Sequence, residues 1–443
     1  MNNQTDAPES GQGSIPQFSD TNDVVIDKKK IRSGILHQIT TGIFAVDFVL
    51  GLLMLVALVF ISEWLNMEPR LVIGFVFCAV FIGYVLATAI YLKMAGTHFK
   101  QGDYHRAITD LDKAIKLVPI IQGAYVSRGN IYFAIGDFDR AIADYDKAIQ
   151  INPDDADPYS GRGTAYYSKG DYDRAITDYN RAIQLNPDFA DAYYNRGNSY
   201  YSNGDYDQAI DDYNKAIEIK PDLADAYSVR GAAYTSKGDY DQAIADYDKT
   251  IQLDPSGAYA YGGRGAIQYI KGDYNRAIED SDKAIQIKPD LVESYSVRAA
   301  AYTSKGDYNR AIEDCEMVIQ LRPEDAIGYN DRGSTYSSKG DFNRAIEDCD
   351  KAINIKPDFA NPYINRGRAY AGKDENARAL KDYNMAIQLK PDYAEAYYYR
   401  GMVYKAEQKK DEAIADFKKV LELNIIPDLQ KKAQDRLKEL GVN

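Results

Sequence analysis

Residues 190–223 read "ADAYYNRGNSYYSNGDYDQAIDDYNKAIEIKPDL". Tyr193, Arg196, Gly197 and Tyr200 fall at the i, i+3, i+4, i+7 spacing of one helix face, and Ala209, Tyr213 and Ala216 do the same for a second helix. Between them "NGDYD" supplies a glycine to end the first helix and an aspartate to cap the next, and "KPDL" stops the second with proline. Gly197, Ala209 and Ala216 mark where helices must cross closely, which leaves the tyrosines to fill the space between. Neither helix can bury its apolar face alone, so such units must stack on their neighbours.

The pattern repeats every 34 residues, with copies beginning at 122, 156, 224, 258, 292, 326, 360 and 394 and no insertions between them. One further copy begins at Thr88, where Ala95, Gly102, Asp103, Tyr104, Ala107, Ala114 and Pro119 hold template positions. Composition carries the same signature: 38 Tyr and 32 Gly stand against 14 Phe and one Trp in 443 residues, as expected when one template is copied many times.

Counting Ala190 as position 1, an aromatic stands at position 4, a small residue at 8, an aromatic at 11, Ala at 20, an aromatic at 24, Ala at 27 and Pro at 32. This pattern resembles the tetratricopeptide repeat. The resemblance implies an all-α fold: a right-handed superhelical solenoid of ten 34-residue helix-turn-helix repeats over 88–427. Residues 428–443 follow as a capping helix, with Leu429, Ala433, Leu437 and Leu440 on its inner face. Two turns depart from the template. Gln408 and Lys409 replace Gly-Asp in the last repeat, and Asp374 and Glu375 replace it in the one before, where looser packing is expected.

The resemblance also implies protein or peptide binding in a concave groove lined by the first helices. Positions 5, 6, 9 and 12 of that lining give the candidates Asn130, Phe133, Tyr167, Tyr194, Asn195, Asn198 and Tyr201, an amide and aromatic surface suited to an extended peptide. Farther along, Ser228, Ala232, Gly262, Gly263, Ser296 and Ala300 are small and leave the groove open. The family's chaperone-binding subset uses Lys at position 5, which never occurs here.

Position 7, usually Leu in the family, is Arg in nine repeats, and position 23 is Asp in every repeat. A buried arginine needs a partner, so Arg128, Arg162, Arg196 and Arg230 are expected to form an ion-pair ladder with Asp144, Asp178, Asp212 and Asp246. Met94 holds position 7 in the first repeat. Pairing within repeats would therefore strand Asp110, whereas pairing to the following repeat would strand Asp416.

Upstream, two apolar runs occupy 42–61 and 71–92, each long enough to cross the roughly 30 Å hydrocarbon core. Together they read as a transmembrane helical hairpin over 42–92. Trp64 sits at interface depth and Pro69 at the first turn of the second helix. An antiparallel hairpin sets Gly51 level with Gly83, permitting close approach, with Asp47 as a hydrogen-bonding contact inside the membrane. Residues 28–41 form a basic juxtamembrane segment, and 1–27, with five acids and no Lys or Arg, read as a disordered acidic tail. The positive-inside rule then puts both the N-terminus and the repeats in the cytoplasm of a multi-pass protein, in what the near-identical repeats suggest is a prokaryotic cell membrane.

The formal charge of −13 argues against nucleic acid as a partner. Three cysteines, Cys78, Cys315 and Cys349, make neither a disulfide framework nor a metal site. The three histidines cluster near the membrane end, and no nucleophile-base pair or phosphate loop can be assembled, so neither an enzyme, a cofactor nor a small-molecule substrate is expected. The recurring "DYD" reads as helix-cap chemistry rather than a calcium loop. The functional expectation is a membrane-anchored scaffold or adaptor that binds a protein or extended peptide. The alternative is an accessory subunit of a membrane transport, secretion or assembly complex, docking through its hairpin.

Overall fold

The computed structural model describes residues 69–423 and 427–442. The acidic segment 1–27, the basic segment 28–41 and the apolar run 42–61, and with them Asp47 and Gly51, lie outside the described residues. The described residues hold 21 helices and no strand. They divide between Asp239 and Tyr240 into two compact units.

The unit ending at Asp239 opens with a long helix, α1 (Pro69–Lys100), that has no interruption. Its polypeptide is therefore apolar stretch and repeat helix in one element. From Thr88 onward one side is buried: Thr88, Leu92, Ala95 and Phe99 follow helical spacing, and the last three join a cluster with Ala107, Leu111 and Ala114 of α2 (Tyr104–Leu117). N-terminal to this, Val80, Phe81 and Tyr84 are exposed, and Ile90 is exposed on the side of the helix away from the buried residues. Gly83 is exposed too, and a Cβ placed there meets nothing within 4 Å.

Six of the following helices are α3 (Gln122–Ala134), α4 (Phe138–Ile151), α5 (Ala156–Ser168), α6 (Tyr172–Leu185), α7 (Ala190–Ser202) and α8 (Tyr206–Ile219). Their turns follow from local chemistry. Gly136, Gly170 and Gly204 take φ of 83°, 78° and 82°, which L-residues resist. Asp137, Asp171 and Asp205 then cap the second helix, each side chain accepting a backbone N–H three residues on. The aspartates of "DYD" thus hold helix ends.

Packing follows the small residues. Ala141, Ala175 and Ala209 are fully buried where second helices meet first helices. A Cβ on Gly197 would lie 2.7 Å from Tyr213 Cε1, and on Gly163 3.0 Å from Tyr179 Cε1, so glycine is required wherever a tyrosine ring fills position 24. Burying one such ring contributes about 1.5–3 kcal/mol.

The unit beginning at Tyr240 repeats the scheme to α20 (Lys410–Leu423) and closes with α21 (Pro427–Glu439), whose Leu429, Ala433 and Leu437 pack on Tyr398, Phe417 and Val420. Cys315 and Cys349 are free thiols buried in the core at position 24. The two irregular turns keep the regular backbone: Asp374 and Gln408 both adopt φ of 61° where other repeats have glycine. Beside the Asp374 turn, where looser packing is expected, Ala379 and Tyr383 are nonetheless fully buried, as are Ala413 and Phe417 beside Gln408.

Candidate peptide-binding face and its ion-pair ladder

In eight repeats the second helix presents Asp at position 23 to the arginine of the first helix. Arg128 Nη2 lies 2.6 Å from Asp144 Oδ1, Arg162 Nη2 2.6 Å from Asp178 Oδ1, and Arg196 Nη2 2.6 Å from Asp212 Oδ1. In the other unit Arg264, Arg298, Arg332, Arg366 and Arg400 meet Asp280, Asp314, Asp348, Asp382 and Asp416 in the same way. Pairing therefore runs within repeats, and Asp416 is not stranded. Nor is Asp110: His98 Nδ1 stands 2.8 Å from its Oδ2, taking the place of the missing arginine. Arg230 donates to Asn214 Oδ1 at 2.5 Å, while Asp246 is buried in the other unit.

Each arginine has a further partner that the sequence reading did not include. Arg162 Nη1 donates to Asp146 Oδ1 at 2.5 Å, Arg196 Nη1 to Asn180 Oδ1 at 2.5 Å and Arg366 Nη1 to Asp350 Oδ1 at 2.5 Å. These acceptors sit at position 25 of the preceding repeat, so the guanidinium clamps two repeats together. The recurrence of Asp or Asn at position 25 was the available signal. Tyrosines at position 4 complete the site: the Arg162 and Arg196 guanidiniums lie 5.7 and 5.5 Å from the ring centres of Tyr159 and Tyr193. Burial pushes the Asp178 carboxyl up, and Arg162 draws it back. Arg128, Arg162, Arg196, Arg264, Arg298, Arg366 and Arg400 each donate three such bonds, and Arg332 donates two with Glu316 3.8 Å away, so these cations are matched by acceptors from the protein itself.

The groove candidates separate into two groups. Phe133, Asn198 and Tyr201 are buried, 8%, 4% and 8% exposed, which corrects their assignment as groove lining. Phe133 and Tyr201 pack on Phe138 and Tyr206, ring centres 5.5 and 5.3 Å apart. Asn198 Oδ1 accepts the Tyr213 hydroxyl at 2.8 Å. Asn130, Tyr167, Tyr194 and Asn195 remain partly exposed, with Asn130 Oδ1 accepting the Tyr145 hydroxyl at 2.6 Å. Gly263 is small for packing rather than for an open groove, since a Cβ there would meet Tyr247 Oη at 2.7 Å. Among the described residues no group of three or more His, Cys, Asp or Glu is placed to hold a metal ion.

Models described as tetratricopeptide repeat match residues 88–119, 190–223, 224–256, 258–291, 292–325, 326–359 and 394–424. A model described as TPR repeat matches 129–170, 163–204 and 367–408. The chain belongs to the tetratricopeptide repeat family. Among solved structures, this tetratricopeptide repeat protein is similar to MamA, with 33% identity, 39% of this chain and 94% of that chain covered, and a TM-score of 0.35. It is also similar to a tetratricopeptide repeat protein from Parabacteroides merdae ATCC 43184, with 22% identity, coverage of 56% and 98% and a TM-score of 0.47. A third likeness is to YrrB, a TPR protein with an unusual peptide-binding site, with 24% identity, coverage of 42% and 95% and a TM-score of 0.35. No curated protein matches the chain. As a tetratricopeptide repeat scaffold the chain is suited to binding a protein or peptide.

Proposed function

We propose that the chain is a membrane-anchored adaptor whose ten repeats hold a protein or extended peptide on the cytoplasmic face, along the first helices. The observation that carries this reading is the partly exposed amide and aromatic surface of Asn130, Tyr167, Tyr194 and Asn195 on three successive first helices. Backbone amides of an extended peptide pair with such side chains, and its apolar side chains with the rings. Anchoring is supported by Val80–Lys100, a helical stretch long and apolar enough to cross a membrane, and by the exposure of Val80, Phe81, Tyr84 and Ile90.

Purified in detergent, the full chain should retain a soluble protein that Tyr194→Ala/Asn195→Ala releases. Retained membrane proteins that survive this double substitution and are lost when 42–92 is exchanged for an unrelated hairpin would favour the second reading, an accessory subunit of a membrane complex. The exposed apolar side of α1, which could equally meet protein helices, is what favours that second reading. Recovery of the chain from alkaline-washed membranes checks the anchor itself.

A further inference from the structure

In the unit that begins at Tyr240, α15 (Ala326–Lys339) and α17 (Ala360–Gly372) are first helices of successive repeats. A chain of side-chain hydrogen bonds crosses from one to the other. Arg368 Nη1 donates to Asn365 Oδ1 at 3.5 Å, Asn365 Nδ2 donates to Asn330 Oδ1 at 2.9 Å, and Asn330 Nδ2 donates to Asp331 Oδ1 at 3.0 Å. Asn330 is 1% exposed, so its amide is fixed in place by these two partners. The line has a carboxylate at one end and a guanidinium at the other.

Among the described residues neither charge has an oppositely charged partner. In the same two repeats Asp348 and Asp382 each take an arginine, yet Asp331 receives only an amide, and burial rather than any cation dominates its ionisation. Arg368 rests over the Tyr399 ring, 5.2 Å from its centre, and its polar partner among the described residues is the Asn365 amide oxygen. A partly buried carboxylate without a cation is costly to desolvate, as is a cation without an anion, unless a ligand completes it. The two asparagines stand between the two ends of the line.

We propose that Asp331 and Arg368 recognise an extended peptide carrying a basic side chain and, about two to four residues away, an acidic one. The spacing follows from a helix-to-helix distance of about 8–10 Å and a rise of about 3.3 Å per residue in an extended chain. Asp331 takes the basic group and Arg368 the acidic group, with Tyr399 as the apolar floor beside the latter. The proposal rests on the peptide-binding reading above and gives it a sequence requirement.

The test is selection of phage-displayed peptides on the full chain in detergent, in parallel with Asp331→Asn and Arg368→Gln. Wild type should enrich Lys or Arg at one position and Asp or Glu two to four residues away; Asp331→Asn should lose the basic preference alone and Arg368→Gln the acidic one alone. A synthesised selected peptide should bind wild type about tenfold more tightly than the same peptide with its two charges exchanged, a comparison that needs no variant to fold. Selected peptides without the charge pair, or with the same preference on all three proteins, would overturn the proposal and leave the peptide-binding reading standing. Failure to select any peptide on wild type would overturn both.

Discussion

Arg162 holds Asp178 with two hydrogen bonds, Nε to Oδ2 at 2.8 Å and Nη2 to Oδ1 at 2.6 Å, while its remaining nitrogen reaches back to Asp146 of the preceding repeat. The bidentate contact orients the guanidinium, and the third bond makes it a clamp between repeats.

Asp178→Ala should therefore destabilise the stack by about 3 kcal/mol, because it leaves a largely buried cation with one partner. Replacing the pair by Arg162→Met/Asp178→Leu should cost markedly less than the single substitution. Urea denaturation, with hydrogen exchange read over 156–185, checks both. Equal losses for the single and double variants would show that side-chain volume, not charge, governs the site.

Gly197→Ala should cost about 1–3 kcal/mol by forcing a methyl group onto the Tyr213 ring. The chain contains its own compensation, since Ala299 at position 8 accompanies Cys315 at position 24. Gly197→Ala/Tyr213→Cys should accordingly lose less than the sum of the two single variants. Thermal melting of the four proteins in the cycle gives the coupling, and strict additivity would refute the contact.

At the irregular turns, Gln408→Gly should raise stability by about 1 kcal/mol, because the left-handed conformation at φ 61° penalises a glutamine. Asp374→Gly should gain less, as aspartate tolerates that region better. Melting temperatures in that order, glycine at 408 above glycine at 374, are the expected result.

Burial pushes the Asp331 carboxyl up to about 7, with Asp325 adding to the shift and the Asn330 amide opposing it. Tyr269 and Cys315, from neighbouring helices, also feel this carboxylate. The native state thus binds this proton more strongly than the unfolded chain. Its contribution to stability is full below the unfolded value of about 4 and is lost as pH rises to about 7. Binding of a basic peptide has the opposite sign and should strengthen between about pH 6 and 8 as the carboxylate ionises. Asp331→Asn should flatten both profiles, measured by melting temperature and by titration of a selected peptide.

The helix pairs, their turns and the identity of the arginine and aspartate rows were all legible in the sequence, because a 34-residue period repeats the same short-range chemistry many times over. Glycine at positive φ, aspartate at the cap and alanine at the crossing each act within a few residues. Helical spacing also placed the inner face of α21 at Leu429, Ala433 and Leu437.

What the period leaves open is which neighbour a residue meets. Two pairings of arginine with aspartate were equally compatible with spacing; helix packing chose the one within each repeat and let His98 serve Asp110. Phe133, Asn198 and Tyr201 share the helix face of exposed residues on paper, yet Phe138, Tyr206 and the Tyr213 hydroxyl of the second helices pack against them and they are buried. The Asp331 to Arg368 line exists only because two helices lie side by side. Sequence by itself determined local conformation and which residues share a face, since these depend on contacts a turn or two apart. The tertiary structure decided which polar groups are satisfied within the protein and which remain for a ligand, because that depends on the crossing of separate helices.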